Sequence, residues 1–182
     1  RLASKGATFE QAAVFREPLA FDALEAEAAW KRLAEGIEVR IVDAHLANAD
    51  FDARLSGLYR TLPGSAQRSP GWVDLTGRIE RAKLTAVASY LPNAIATTRT
   101  WLDSAILAGV ANGARFELKG DLWHFPFGDG TKGRFFVEGS VADGKLQYDP
   151  RWPAVERVQG SLRFENARMD IHAAEAFVYA SR

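Results

Sequence analysis

Apolar and charged side chains alternate residue by residue along much of this chain, and that period of two constrains its fold more than any other feature. Successive side chains of a strand point to opposite faces, so strict alternation means one buried face and one wet face. From Ala114 the pattern is clean. Phe116, Leu118 and Leu122 alternate with Arg115, Glu117, Lys119 and Asp121. Phe135, Val137 and Val141 alternate with Arg134, Glu138 and Ser140, and only Phe136 breaks the polar face. Leu146 and Tyr148 alternate with Lys145, Gln147 and Asp149; Leu162 and Phe164 with Ser161, Arg163 and Glu165; Met169 and Ile171 with Arg168, Asp170 and His172. This reads as five strands sharing one apolar and one charged face.

The punctuation fits hairpins. Asn112-Gly113, Asp129-Gly130 and Asp143-Gly144 are dipeptides that tight turns prefer, because Gly reaches positive φ without steric cost. Connections this short make neighbouring strands antiparallel, which predicts a meander. The first 83 residues repeat the theme with more noise. Leu24 to Lys31, Ile37 to Ile41, Phe51 to Tyr59 and Val73 to Ile79 read as strands, with a Pro/Gly/Ser-containing loop between Leu62 and Gly71. Phe21, Leu24, Trp30 and Ile37 are spaced like Val155, Val158, Phe164 and Ile171, a candidate degenerate repeat that would imply a stacked, elongated architecture.

One stretch departs from period two. After Pro92 and Asn93, residues Ile95, Leu102 and Ile106 recur at helical spacing, and Gly109 stands where a C-cap would. The spacing predicts a short amphipathic helix over Ala94 to Ala108, set against the apolar face of the sheet or at its end, with a further helical turn over Leu84 to Tyr90. The chain thus divides into an N-terminal β segment, 1–83, and a segment of helix plus antiparallel meander, 84–182. The predicted class is mainly β: an extended, curved antiparallel sheet with an open groove.

Composition narrows the function. The 23 basic and 23 acidic side chains cancel, so no basic surplus exists to release counterions from phosphate, and a nucleic-acid partner is not expected. With no cysteine there is neither a disulfide nor a thiol nucleophile. No stretch approaches the roughly 18 to 20 apolar residues that span a bilayer, so the sequence predicts a soluble segment, and its end at Arg182 directly after an apparent strand predicts that it is cut from a longer chain. His45, His124 and His172 lie far apart and outside metal-ligand spacings. The Gly128 to Gly133 run lacks the Lys-Ser/Thr pair and the following helix that a phosphate loop needs, and reads as a hairpin loop. Most carboxylates fall on the wet face. Neither a catalytic residue, a metal nor a cofactor is expected.

Between Tyr90 and Ala180 the chain carries Tyr90-Leu91-Pro92, then Trp101-Leu102, Ala105 and Gly109. Phe125-Pro126-Phe127, Gly133, Phe135, Leu146, Tyr148, Trp152-Pro153, Leu162, Phe164, Met169 and Ile171 follow. In these residues the stretch resembles the central region of YhdP-type proteins in the AsmA-like superfamily. The resemblance implies a very long Gram-negative envelope protein, anchored in the inner membrane outside this segment, whose curved sheet crosses the periplasm. It implies similarity to chorein-type bridge-like lipid transporters and a role in moving phospholipid toward the outer membrane, with acyl chains as the partner. It supplies no catalytic residues. The groove candidates are then Phe116, Leu118, Leu122, Phe135, Val137, Leu146, Tyr148, Leu162, Phe164, Met169 and Ile171. Taken without the resemblance, the same apolar face is a plain core under a second sheet or a helix, and an envelope scaffold without lipid conduction stands as the alternative function.

Overall fold

The computed structural model describes residues 2–10, 12, 15–62, 70–91, 93 and 96–178. Its strands are β1 Leu2–Phe9, β2 Leu19–Arg32, β3 Ile37–Ala47, β4 Phe51–Arg60, β5 Trp72–Lys83, β6 Ile106–Asp121, β7 Gly133–Leu146, β8 Val155–Glu165 and β9 Arg168–Val178. Each pairs antiparallel with the next, giving one nine-stranded sheet in sequence order. The sheet is open: among the described residues β1 and β9 are its two free edges. The β5–β6 pairing carries it without a break across residues 83 and 84.

Register explains why the alternation is so regular. Directly opposed residues of antiparallel strands point to the same face. Phe116 lies opposite Val137, Val137 opposite Phe164, and Phe164 opposite Met169, so four strands place one apolar row across the sheet. Leu75, Leu118 and Phe135 form a second row, and Leu162 with Ile171 belongs to a third. The intervening residues build a charged lattice on the other face. Asp74 pairs with Lys119 at 2.7 Å, Glu138 with Arg115 at 2.6 Å, and Glu117 with Arg134 at 3.2 Å. Phe136 sits on that face yet is buried, because the guanidiniums of Arg115, Arg134 and Arg163 each lie 5.3 Å from its ring centroid. Bulges interrupt six of the eight strand pairs; each bends its strand, which lets a single layer curve around its apolar face.

A helical insert joins β5 to β6. It consists of a 3-10 helix, Leu84–Tyr90, and α1, Ala96–Ala105. Ala88, Leu102 and Ala105 are buried among its described residues. Leu102 and Ala105 are three apart, the spacing that puts two side chains on one helical face. Tyr90 packs edge-on against Phe51 at 4.8 Å, and Phe51 against Phe21 at 6.1 Å. The expected helix is therefore present but shorter. Ile106 to Ala108 belong to β6, where Ile106 pairs with Leu146, and Gly109 is an in-strand residue at φ 127° rather than a cap. Pro92, Ala94, Ile95 and residues 63–69 of the expected loop lie outside the described residues.

Two expected turns are corrected. Asn112-Gly113 lies within β6 and Asp143-Gly144 within β7, so no hairpin forms at either. Both occupy register shifts, with Gly113 at φ 59° and Asp143 at φ 53°. The left-handed conformation that suits a tight turn also suits a bulge, and here the bulge prevails. Leu146 consequently ends β7, and Tyr148 lies in the loop beyond it instead of on a strand of its own. Asp129-Gly130 does fall in a connection, between β6 and β7. β1 was not expected from the sequence at all.

The aromatic-proline corners sit in end loops. Trp152-Pro153 lies between β7 and β8, and Phe125-Pro126-Phe127, with a cis Phe125-Pro126 bond, between β6 and β7. Phe127 is 1% exposed and packs on the Gly120 and Gly133 backbone; a Cβ at Gly133 would come within 2.6 Å of its ring. The quartets proposed as a repeat fall on the β2–β3 and β8–β9 strand pairs.

Candidate functional site

A cavity of about 250 Å³ opens on the apolar face above β6 to β9. Five of the groove candidates, Leu146, Leu162, Phe164, Met169 and Ile171, line it. The bulged ends of β7 and β8 add Gly144, Val155 and Val158, and the helical insert supplies Leu84 and Trp101 as a wall. The insert therefore lies on the same face as Phe164. From Val155 to Phe164 the lined strand extends about 30 Å at the usual rise per residue.

Among the described residues the lining contains no carboxylate, histidine or hydroxyl group, and its one charged side chain is Lys145, whose ammonium is held by Glu156 Oε1 at 2.7 Å. Such a surface can take up hydrocarbon, and polar groups able to anchor a ligand tightly are confined to its margin.

The remaining candidates are distributed as follows. Phe116, Leu118, Phe135 and Val137 share the apolar face by register but stand outside the cavity wall. Phe135 continues the surface, with its ring 6.4 Å from Phe164 and 5.0 Å from Phe125. Leu122 begins a single 3-10 turn, Leu122–His124, at the end of β6. Tyr148 is 59% exposed and meets Trp101 edge-on at 5.7 Å. Sequence reasoning missed Trp101 and Leu84, since period two is silent about helical residues. It missed Val155 and Val158 as groove residues because their odd spacing conceals a shared face. The bulge at Arg157, φ 50°, restores it.

The histidines do not converge. His45 Nε2 bonds Asp52 Oδ1 at 2.9 Å, while His124 and His172 are exposed. Among the described residues no group of three or more His, Asp or Glu is placed to hold a metal ion. The Gly128 to Gly133 loop closes on itself: Thr131 N–H donates to Asp129 Oδ1 at 3.0 Å, which holds that carboxyl below its usual range. A strand, not a helix, follows it. No helix among the described residues is long and apolar enough to cross a membrane.

Fold and site together define a class: an open, single-layer antiparallel sheet with one apolar, cavity-bearing face and one charged face. The chain belongs to the YhdP protein family, whose model matches residues 1–179, and it is a YhdP-type, AsmA-like protein. Membership suggests a bacterial envelope protein with a role in lipid transport or envelope biogenesis. No curated protein and no solved structure matches the chain significantly.

Proposed function

We propose that this chain is a segment of a periplasmic lipid conduit, anchored to the inner membrane elsewhere, whose apolar face carries phospholipid acyl chains toward the outer membrane. The observation that carries the reading is the open apolar cavity lined by Leu162, Phe164, Met169 and Ile171 on a sheet whose reverse face is charged. Exposing an acyl chain to water costs about 0.8 kcal/mol per methylene, hence on the order of 13 kcal/mol for sixteen of them. Lipid crossing an aqueous gap therefore needs a continuous apolar track, and a curved single-layer sheet provides one. Native mass spectrometry of the protein purified from cells tests the proposal. Co-purified phospholipid is the expected result; protein that is lipid-free under every gentle purification argues against it.

A scaffold role without conduction is favoured by one observation. The helical insert already covers part of the face, burying Ala88, Leu102 and Ala105. Protein that holds partner proteins but never lipid would support that reading.

A further inference from the structure

The two ends of the cavity differ in chemistry. Toward Phe164 and Met169 it runs into hydrocarbon: Phe164, Phe135 and Phe125 pack in series, with Phe127 buried behind them. The polar group recorded beside these rings, Asn166 in the β8–β9 turn, has its side-chain oxygen taken up by the Phe135 N–H at 2.9 Å. Toward Val155 and Leu146 it reaches Trp101, and Trp101 opens a row of rings that leaves the cavity. Trp101 meets Tyr148 edge-on at 5.7 Å, and Tyr148 stacks on Trp152 at 6.1 Å and 29°. Tyr148 and Trp152 are 59% and 62% exposed, so packing does not account for them.

Rings that join an apolar body to a polar tip suit a boundary between hydrocarbon and water. Their π faces also attract an ammonium group. Two cations close to the row in sequence are already neutralised, Lys145 by Glu156 at 2.7 Å and Arg151 by Asp149 at 2.7 Å, and α1 carries one charge of each sign two positions either side of Trp101, Arg99 and Asp103. This margin is thus polar, aromatic and locally balanced in charge.

Resting on the lipid reading above, we infer that the cavity holds its ligand in one orientation. The headgroup lies at the Trp101–Tyr148–Trp152 row and the chain end lies toward Phe164 and Met169. A charge-balanced aromatic margin selects a zwitterionic headgroup carrying an ammonium over a net anionic one.

The test uses the wild-type protein labelled with 5-fluorotryptophan, its fluorine resonances assigned by single Trp→Phe variants. Phosphatidylcholine carrying a nitroxide on its headgroup is compared with phosphatidylcholine carrying it near the end of one acyl chain. The headgroup label is expected to broaden the Trp101 and Trp152 resonances several-fold more than the chain-end label, with Trp30 on β2 as the distant reference. Equal broadening, or stronger broadening by the chain-end label, overturns the orientation. Broadening of no resonance by either lipid overturns the lipid reading itself, and the orientation with it. Short-chain soluble phosphatidylethanolamine should then displace the probe at least about threefold better than short-chain phosphatidylglycerol; equal or reversed displacement overturns the headgroup selection.

Discussion

The Tyr90 hydroxyl donates a hydrogen bond to Asp50 Oδ2 at 3.1 Å and accepts one from Asn48 Nδ2 at 2.8 Å. Lys83 Nζ closes the network on Asp50 Oδ1 at 3.2 Å. The helical insert is thereby tied to the β3–β4 turn by one phenol. Tyr90→Phe keeps the ring against Phe51 and removes only the bonds. A loss of about 1 kcal/mol in chemical denaturation is expected, with hydrogen exchange accelerating first in residues 84–105. Burial, the largest cause, raises the Tyr90 pKa above its ordinary value. The contribution of the neutral phenol is therefore complete below about pH 10 and is lost as pH rises through the raised value. Wild-type protein should show an alkaline loosening of the insert that the Phe variant lacks.

Phe127 and Gly133 form a lock at the opposite loop end. Phe127→Ala opens a cavity where almost no solvent reaches, so a loss of about 3 to 5 kcal/mol is expected in the same measurement. Gly133→Ala should approach that loss for the converse reason, since its Cβ would also collide with the Lys119 carbonyl oxygen. A near-neutral Gly133→Ala would contradict the packing described.

How much of this was legible in the sequence depends on what each signal specifies. Alternation at Phe116, Leu118, Phe135, Val137, Leu162 and Phe164 is a direct consequence of strand geometry, and the register places all six on one face. Asn112-Gly113 and Asp143-Gly144 misled because a dipeptide reports local backbone conformation and not whether the chain reverses. That is decided by pairing with distant strands. β1 was invisible because Leu-Ala-Ser-Lys-Gly-Ala-Thr-Phe carries little apolar contrast and is held as an edge by main-chain pairing to β2. The aromatic margin was visible only as isolated residues, since Trp101 and Trp152 lie 51 positions apart and meet Tyr148 from two different connections.

On the charged face, burial should outweigh ion pairing. Arg115 is largely exposed despite its 2.6 Å contact with Glu138, so Arg115→Ala should cost less than about 1 kcal/mol. Phe136→Ala removes a buried ring from among three guanidiniums and should cost about 3 kcal/mol. Reversal of that order in thermal melts would mean that the ion-pair lattice, not the ring, holds this face.

Within the cavity, Phe164→Asp separates an open trough from a closed core. Phe164 is half-buried, so a carboxylate there can still reach water, and a loss below about 3 kcal/mol is expected. Lipid recovered with the folded variant should fall by about tenfold or more, because the apolar path is broken. Outright unfolding would mean that the site is a sealed core in which an unpaired charge is not tolerated.

Neighbouring residues of β9 provide the most direct test of the conduit. Ile171 lines the cavity, whereas His172, one residue on, lies opposite Ser161 and points to the other face. A photoreactive amino acid placed at each position in the full-length protein in cells, irradiated and analysed for phospholipid adducts, compares the two faces of one strand. The account predicts phospholipid adducts at position 171 and none at 172. No adduct at 171, or equal yields at both positions, would contradict it.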